Sequence, residues 1–468
     1  MDNQTDPIKH MLHSMMEDVT PVRLRLLLVL NCLGILLFLL ITVSTILQHK
    51  RAVDTVGVDA APSVIAAHQI KIAVEQMDTA LANELLYRPE QPESLLMEGQ
   101  FERAREVVSK QLVSAAKNIT FGKSEQTPIE NIQLALGQFE MQAQYVRDMK
   151  KSNKNNDAVN GYLAALQTVQ ENLLPNADAL NKANSDLLES NYEQEKSGAS
   201  LSRGGVSVVG ILLVALSVYS QLYLKTRFRR RINLPLLIGS VCTLIFLVHI
   251  TQTLGKASND LKVAKEDAYN SIFSLLDARA NAYEANAAES RWLVDQAHAD
   301  VHEKRFQDMA ATVAKFAPNH NYDETIARAR KQQEESEKIS LQGFTGSLAE
   351  ELSNVRFEGE GREAIEALQS FSQYVDDDTK MRKLKKAGQQ DLAVQLCLAY
   401  DPTGSKYPFT RFDEALGRTL AINQEHFDRS VKDAFRDLQG AVLLAQCVCL
   451  LMAVCVYLGF RPRLAEYV

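Results

Sequence analysis

The sequence predicts an all-α membrane protein with four transmembrane helices and two extracytoplasmic helical-bundle domains, the two halves read as an internal duplication. Four long stretches lack Asp, Glu, Lys and Arg and are of a length to cross a hydrocarbon core. Basic residues gather beside those stretches in one consistent sense. The long segments between them carry helix-period apolar patterns, and short motifs recur in both in the same order.

A cytoplasmic tail, 1–25, precedes the first span at 26–47. Arg23 and Arg25 before an apolar core also suit a signal peptide, but the run is too long, and no small-x-small site follows Leu47 before His49-Lys50-Arg51. The first domain, 48–205, is expected to be helices broken at Pro62, at Pro89 and Pro92, at Thr127-Pro128 and at Pro175. Thr127-Pro128-Ile129-Glu130 reads as a helix start with Thr as N-cap. After it, Ile132, Leu136, Phe139 and Ala143 share one face, and Ser152 to Asp157 reads as a loop. A polar helix from Ala177 is expected to run on towards span two, 206–224.

The linker 225–233 holds Lys225, Arg227, Arg229, Arg230 and Arg231, the densest basic run in the chain, and is therefore placed in the cytoplasm. Arg461 and Arg463 after the last span agree, as do Tyr219 and Tyr223 at the expected cytoplasmic interface. Span three, 234–254, reads as continuing through Leu261, Ala268, Ile272, Leu275 and Ala282 to Leu293. A helix of about 60 residues is roughly 90 Å long, of which about 30 Å crosses the bilayer and the rest is expected to project as a stalk. The second domain, 255–440, leads to span four, 441–460, and a cytoplasmic tail, 461–468.

The duplication rests on motif order. Leu136, Phe139 and Tyr145-Val146 precede a lysine-rich stretch and Asp157-Ala158-Val159; Leu368, Phe371 and Tyr374-Val375 precede another and Leu392-Ala393-Val394. Each half is also span, domain, span.

Composition narrows the function. The chain has 58 acidic and 51 basic residues, a net charge of -7, and the two domains hold most of the acids, which suits neither nucleic acid nor anionic headgroups. Of six cysteines, only Cys397 lies outside the spans, so no disulfide is expected within one chain outside the membrane. No Gly-rich phosphate loop, Cys-x-x-Cys or His-Glu-x-x-His occurs. Glu358-Gly-Glu-Gly361 reads as a loop, and His298, His302 and His320 are too scattered for a metal site. Asn118-Ile-Thr120 fits a glycosylation acceptor. No catalytic residue, metal or cofactor is expected. Four spans without an internal charge also disfavour a transporter proper.

The segment from Asp277 to Trp292 stands out. Arg279, Tyr283, Asn286 and Ser290 share a helix face among alanines, suited to a small polar ligand or a partner, with Arg279 able to take a carboxylate with two parallel bonds. The competing reading is a hydrogen-bond network that fixes bundle register.

The stretch Asp277 to Leu293, the segment Asn155 to Leu180 with Gly161-Tyr162-Leu163 and Leu173-Leu174-Pro175, the Ile422 to Asp428 element and the terminal Pro462-Arg463-Leu464-Ala-Glu466-Tyr467 resemble the bacterial GlnX-like four-span membrane proteins. That resemblance implies tandem sensor domains outside the cell, an extracytoplasmic amino-acid-binding protein as upstream partner and a cytoplasmic Ser/Thr kinase downstream. The bundles are also similar to the four-helix sensor domains of chemoreceptors, whose long cytoplasmic coiled coil this sequence does not show. The expected function is thus a non-enzymatic sensor or signal-coupling subunit of a bacterial plasma membrane, embedded in lipid, with output through Lys225 to Arg231 or the two tails. A homodimer is left open. The alternatives are an envelope scaffold and a transporter accessory subunit.

Overall fold

The computed structural model describes residues 19–88, 90–119, 122–228, 232–318, 320–335, 339 and 341–467. Arg229, Arg230 and Arg231 of the basic linker, most of the N-terminal tail, Pro89 and Thr120 of the acceptor motif lie outside the described residues. The first segment comprises α1 (Val19–Asp54), α2 (Ala61–Leu86), α3 (Pro92–Lys117), α4 (Lys123–Lys151), α5 (Asn155–Thr168) and α6 (Leu174–Phe228). The second comprises α7 (Leu234–Lys262), α8 (Asn270–Val294), α9 (Ala299–Val313), α10 (Tyr322–Glu334), α11 (Ser347–Asn354), α12 (Glu360–Lys386), α13 (Gln390–Leu398), α14 (Lys406–Leu438) and α15 (Ala441–Leu464). One two-residue antiparallel pair, β1 (Lys315–Phe316) with β2 (Phe344–Thr345), is the only sheet among the described residues.

The protein is an all-α membrane protein. Four helical stretches are long and apolar enough to cross a membrane: Thr20–Leu86, Asn155–Arg227, Leu234–Val294 and Lys406–Leu464. Their apolar parts form one compact unit with the helix ends that flank them. Leu33, Leu36, Leu37 and Leu40 of α1 and Leu450 and Tyr457 of α15 face outward, an exterior suited to lipid and not to water. Inside, Phe38 meets Phe246 edge-on, and Asn31 donates to Ser220 Oγ at 3.0 Å while accepting from Ser217 Oγ at 3.1 Å. A Cβ on Gly210 would lie 2.6 Å from Leu247, so glycine there permits close helix approach.

The other compact unit joins Thr55–Ser190 and Lys262–Ser430. The sequence treats these segments as two domains; in the structure α2 and α8 pack on one another and bind both segments into one body. Both helices are buried on nearly every side. Alanine allows this, because a small side chain lets neighbouring backbones close in all round. For the same reason α8 is a central helix of the unit and not a projecting stalk. A π-helical turn precedes each of them, Thr55–Ala60 before α2 and Val263–Tyr269 before α8.

Around the centre, α3 packs on α2 and α9 on α8, α4 pairs with α5, and α12 with α13. The expected face of α4 is buried, with Ile132, Leu136, Phe139 and Ala143 all at 2% exposure or less. The helix begins earlier than its Thr127 start signal. Gly122, at φ 70°, opens it, and Pro128 lies inside. At the sixth position of the helix the proline has no N–H to give, and it does not stop the helix.

Phe139 and Phe371 are both fully buried, but Tyr145 is exposed where Tyr374 is buried. Tyr374 lies three residues past its Phe and shares its face, whereas six residues place Tyr145 about 120° away. The Tyr-Val resemblance between the segments is therefore one of order only.

Candidate functional site

Two clefts flank the α2·α8 pair. The first, about 380 Å³, is lined from both segments. α2 supplies Gln76, Thr79 and Asn83, α3 supplies Gln100 and Arg103, α8 supplies Tyr283 and Asn286, and α14 supplies Lys406, Phe409 and Asp413, with Tyr400 just before it.

The α8 face predicted from sequence divides here. Tyr283 and Asn286 line the cleft, and the Tyr283 ring meets Phe409 edge-on at 5.0 Å. Arg279 does take a carboxylate with two bonds, but from Asp413 of the same chain, Nε to Oδ1 at 2.6 Å and Nη2 to Oδ2 at 2.8 Å. Ser290 is fully buried and donates to the Asn286 carbonyl, inside the bundle. Of the linker residues, Lys225 and Arg227 end α6.

The polar shell of this cleft is incomplete. Lys406 is 5% exposed, and its ammonium donates to Asn286 Oδ1 at 2.8 Å with no carboxylate at ion-pair distance among the described residues. Asn83 Oδ1 and Thr79 Oγ1 are buried without a hydrogen-bond partner. Arg103 is exposed at the rim and forms no ion pair among the described residues. Gln100 donates to the Tyr400 hydroxyl at 2.9 Å, tying α3 to the second segment across the cleft. Buried polar atoms ordinarily find partners, so the set is one that a ligand bearing both acceptors and donors would complete.

Sequence reasoning missed Gln76, Thr79, Asn83 and Lys406. A signal was present: α2 is apolar on most sides, yet carries Glu75, Asp78, Asn83 and Glu84, all buried. Charged and amide groups in an all-round buried helix require partners from elsewhere in the fold.

The second cleft, about 800 Å³, lies between α5, α6, α8 and α9. Its buried charged groups are paired. Arg291, 1% exposed, donates to Asp78 Oδ2 from Nε at 2.8 Å and to Glu75 Oε2 at 3.2 Å, and Tyr162 donates to Asp78 Oδ1 at 2.9 Å. Burial pushes the Glu75 carboxyl up to about 8 against the pull of Arg291. The guanidinium is thus balanced by Asp78, with Glu75 holding its proton. His298 and His302 both meet Asp295 Oδ2, at 2.9 and 3.1 Å, and burial lowers the His302 pKa.

Fold and site together define an all-α membrane protein whose helical unit carries a polar cleft of about 380 Å³ lined from both of its segments. Residues 52–193 match the family described as an actinobacterial sensor domain. That part of the chain, which supplies the α2 and α3 side of the first cleft, is similar to a bacterial sensor domain, and a sensing role accords with the match. No curated protein and no solved structure matches the chain.

Proposed function

We propose that the protein is a non-enzymatic transmembrane sensor whose first cleft receives a small carboxylate that also carries N–H donors. The observation that carries this reading is the buried Lys406 ammonium, which is hydrogen-bonded to the neutral Asn286 amide, has Glu289 near but not at ion-pair distance, and lines a cleft with the unpaired Asn83 Oδ1. A carboxylate would complete Lys406 and Arg103, and an amide or ammonium group would complete Asn83. The cleft joins two segments that both lead into apolar helices, so a ligand that draws α3 and α14 together would act on both.

In this reading the helical unit is extracytoplasmic, the halves are an internal duplication, and the Lys225 to Arg231 linker docks a cytoplasmic partner. The GlnX-like resemblance names that partner as a Ser/Thr kinase and adds an extracytoplasmic amino-acid-binding protein that delivers the ligand. Purified full-length chain in lipid nanodiscs, titrated with aspartate, glutamate, asparagine and glutamine, tests it. At least one should raise Tm saturably in the wild type and not in Lys406→Met. A wild type indifferent to all four, or a Lys406→Met variant that responds equally, would overturn the ligand assignment and leave the scaffold reading ahead.

A further inference from the structure

The two clefts lie on either side of one helix pair, and their linings correspond position by position. Gln76 and Asn83 of α2 stand in the first cleft where Glu284 and Arg291 of α8 stand in the second, seven residues apart in both. From α3 the first cleft receives Gln100, Arg103, Ala104 and Val107. From α9 the second receives Val301, Lys304, Arg305 and Asp308, at the same intervals. Phe409, Thr410 and Asp413 of α14 answer in the same way to Leu174, Pro175 and Asp178 of α6. An ion pair repeats with them: Lys71 to Asp178 at 3.0 Å in the first segment, Arg279 to Asp413 at 2.6 Å in the second. Periodicity within one helix produces matching intervals easily. Agreement across three independent pairs of helices and a shared ion pair requires a common plan.

We infer that the clefts are two copies of one site, and that in the second the acidic position on the central helix is held by the chain's own guanidinium. Arg305 stands where the first cleft has the small Ala104. It lies over Glu284, where the first cleft has the neutral Gln76, and its Nε donates to Glu284 Oε1 at 2.5 Å. Glu284 is 4% exposed, and Arg305 is the cation paired with it among the described residues. Deeper in, Arg291 is bonded to Asp78 and Glu75, whereas the first cleft has Asn83, whose Oδ1 has no hydrogen-bond partner. The second cleft is therefore a guanidinium site that supplies its own occupant. The two copies are thus set for different chemistry: the first for a ligand from solution, the second, which keeps about 800 Å³, with its Glu284 already matched by Arg305. The ligand of the first rests on the reading given above; the guanidinium held in the second does not.

The test removes the occupant and returns it from solution. In full-length protein in nanodiscs, Arg305→Ala and Arg305→Gln are compared with wild type by thermal unfolding in millimolar ethylguanidinium, with ethylammonium as control. Arg305 is half exposed, so neither substitution opens a hole in the core. Both variants should melt below the wild type and recover saturably with ethylguanidinium, several-fold less with ethylammonium, while the wild type stays indifferent. Variants that melt like the wild type, fail to recover, or recover equally with both amines would overturn the proposal, as would a wild type stabilised to the same degree. Because the comparison turns on Arg305, which does not line the first cleft, the result is readable whatever the first cleft binds.

Discussion

At the scale of single residues, the buried charges of α2 and α8 divide into those the fold has paired and those it has left for a ligand. Arg291 and Asp78 form the paired kind, at the crossing of the two central helices. Asp78→Asn leaves that guanidinium buried without its counterion and should destabilise the unit by about 3–5 kcal/mol. Glu75→Gln should be mild, because Glu75 already holds its proton in the fold. Its folded pKa, about 8, lies above the ordinary 4.5, so between those values the folded state binds a proton that the unfolded state has released. Stability supplied by this group is complete below the lower value and is lost as pH rises towards the upper one. Glu75→Gln should flatten that decline between pH 5 and 8, and unfolding curves for the variant and wild type across the window measure it. The candidate site was half legible at this scale. Tyr283 and Asn286 were visible because α8 carries polar side chains at helical spacing among alanines. Lys406 and Asn83 were not, because what makes them notable is a missing carboxylate at ion-pair distance for one and a missing donor for the other, and such partners come from helices distant in sequence.

Among the elements, helices were the most legible and their starts the least. The α4 face of Ile132, Leu136 and Phe139 follows directly from spacing, but its start was drawn to Thr127 by a capping pattern that Gly122 pre-empts. Pro128 therefore sits at the sixth position of the helix and has no N–H to give there. Pro128→Ala should restore a backbone donor at that position and stabilise the unit by about 1 kcal/mol. Chemical denaturation of the variant gives the sign directly. The β1·β2 pair had no counterpart in the sequence reading, since two residues of strand are too few to set up an alternating pattern.

For the molecule as a whole, the four spans could be read from hydropathy, because a stretch without charges of that length has few other fates. The union of the two segments could not. It depends on α2 and α8 being buried on all sides, which periodicity registers only as a weak amphipathic signal. The orientation assigned from Lys225 and Arg227 makes a direct prediction: a cysteine placed at Thr226 should resist a membrane-impermeant thiol probe in intact cells and react once they are opened. Labelling in intact cells would reverse the topology.

The π-helical turns at Thr55–Ala60 and Val263–Tyr269 bear on how such chains are compared. A turn closed by i to i+5 bonds holds one residue more than an α-helical turn, and one residue is about 100° of phase. A 3.6-residue template counted from span one into α2, or from span three into α8, therefore arrives out of phase by that angle and assigns each later position to the wrong face. Both halves carry the step at the same place. Relatives that lack it should align only with a one-residue gap inside a continuous helix, where gaps are ordinarily forbidden.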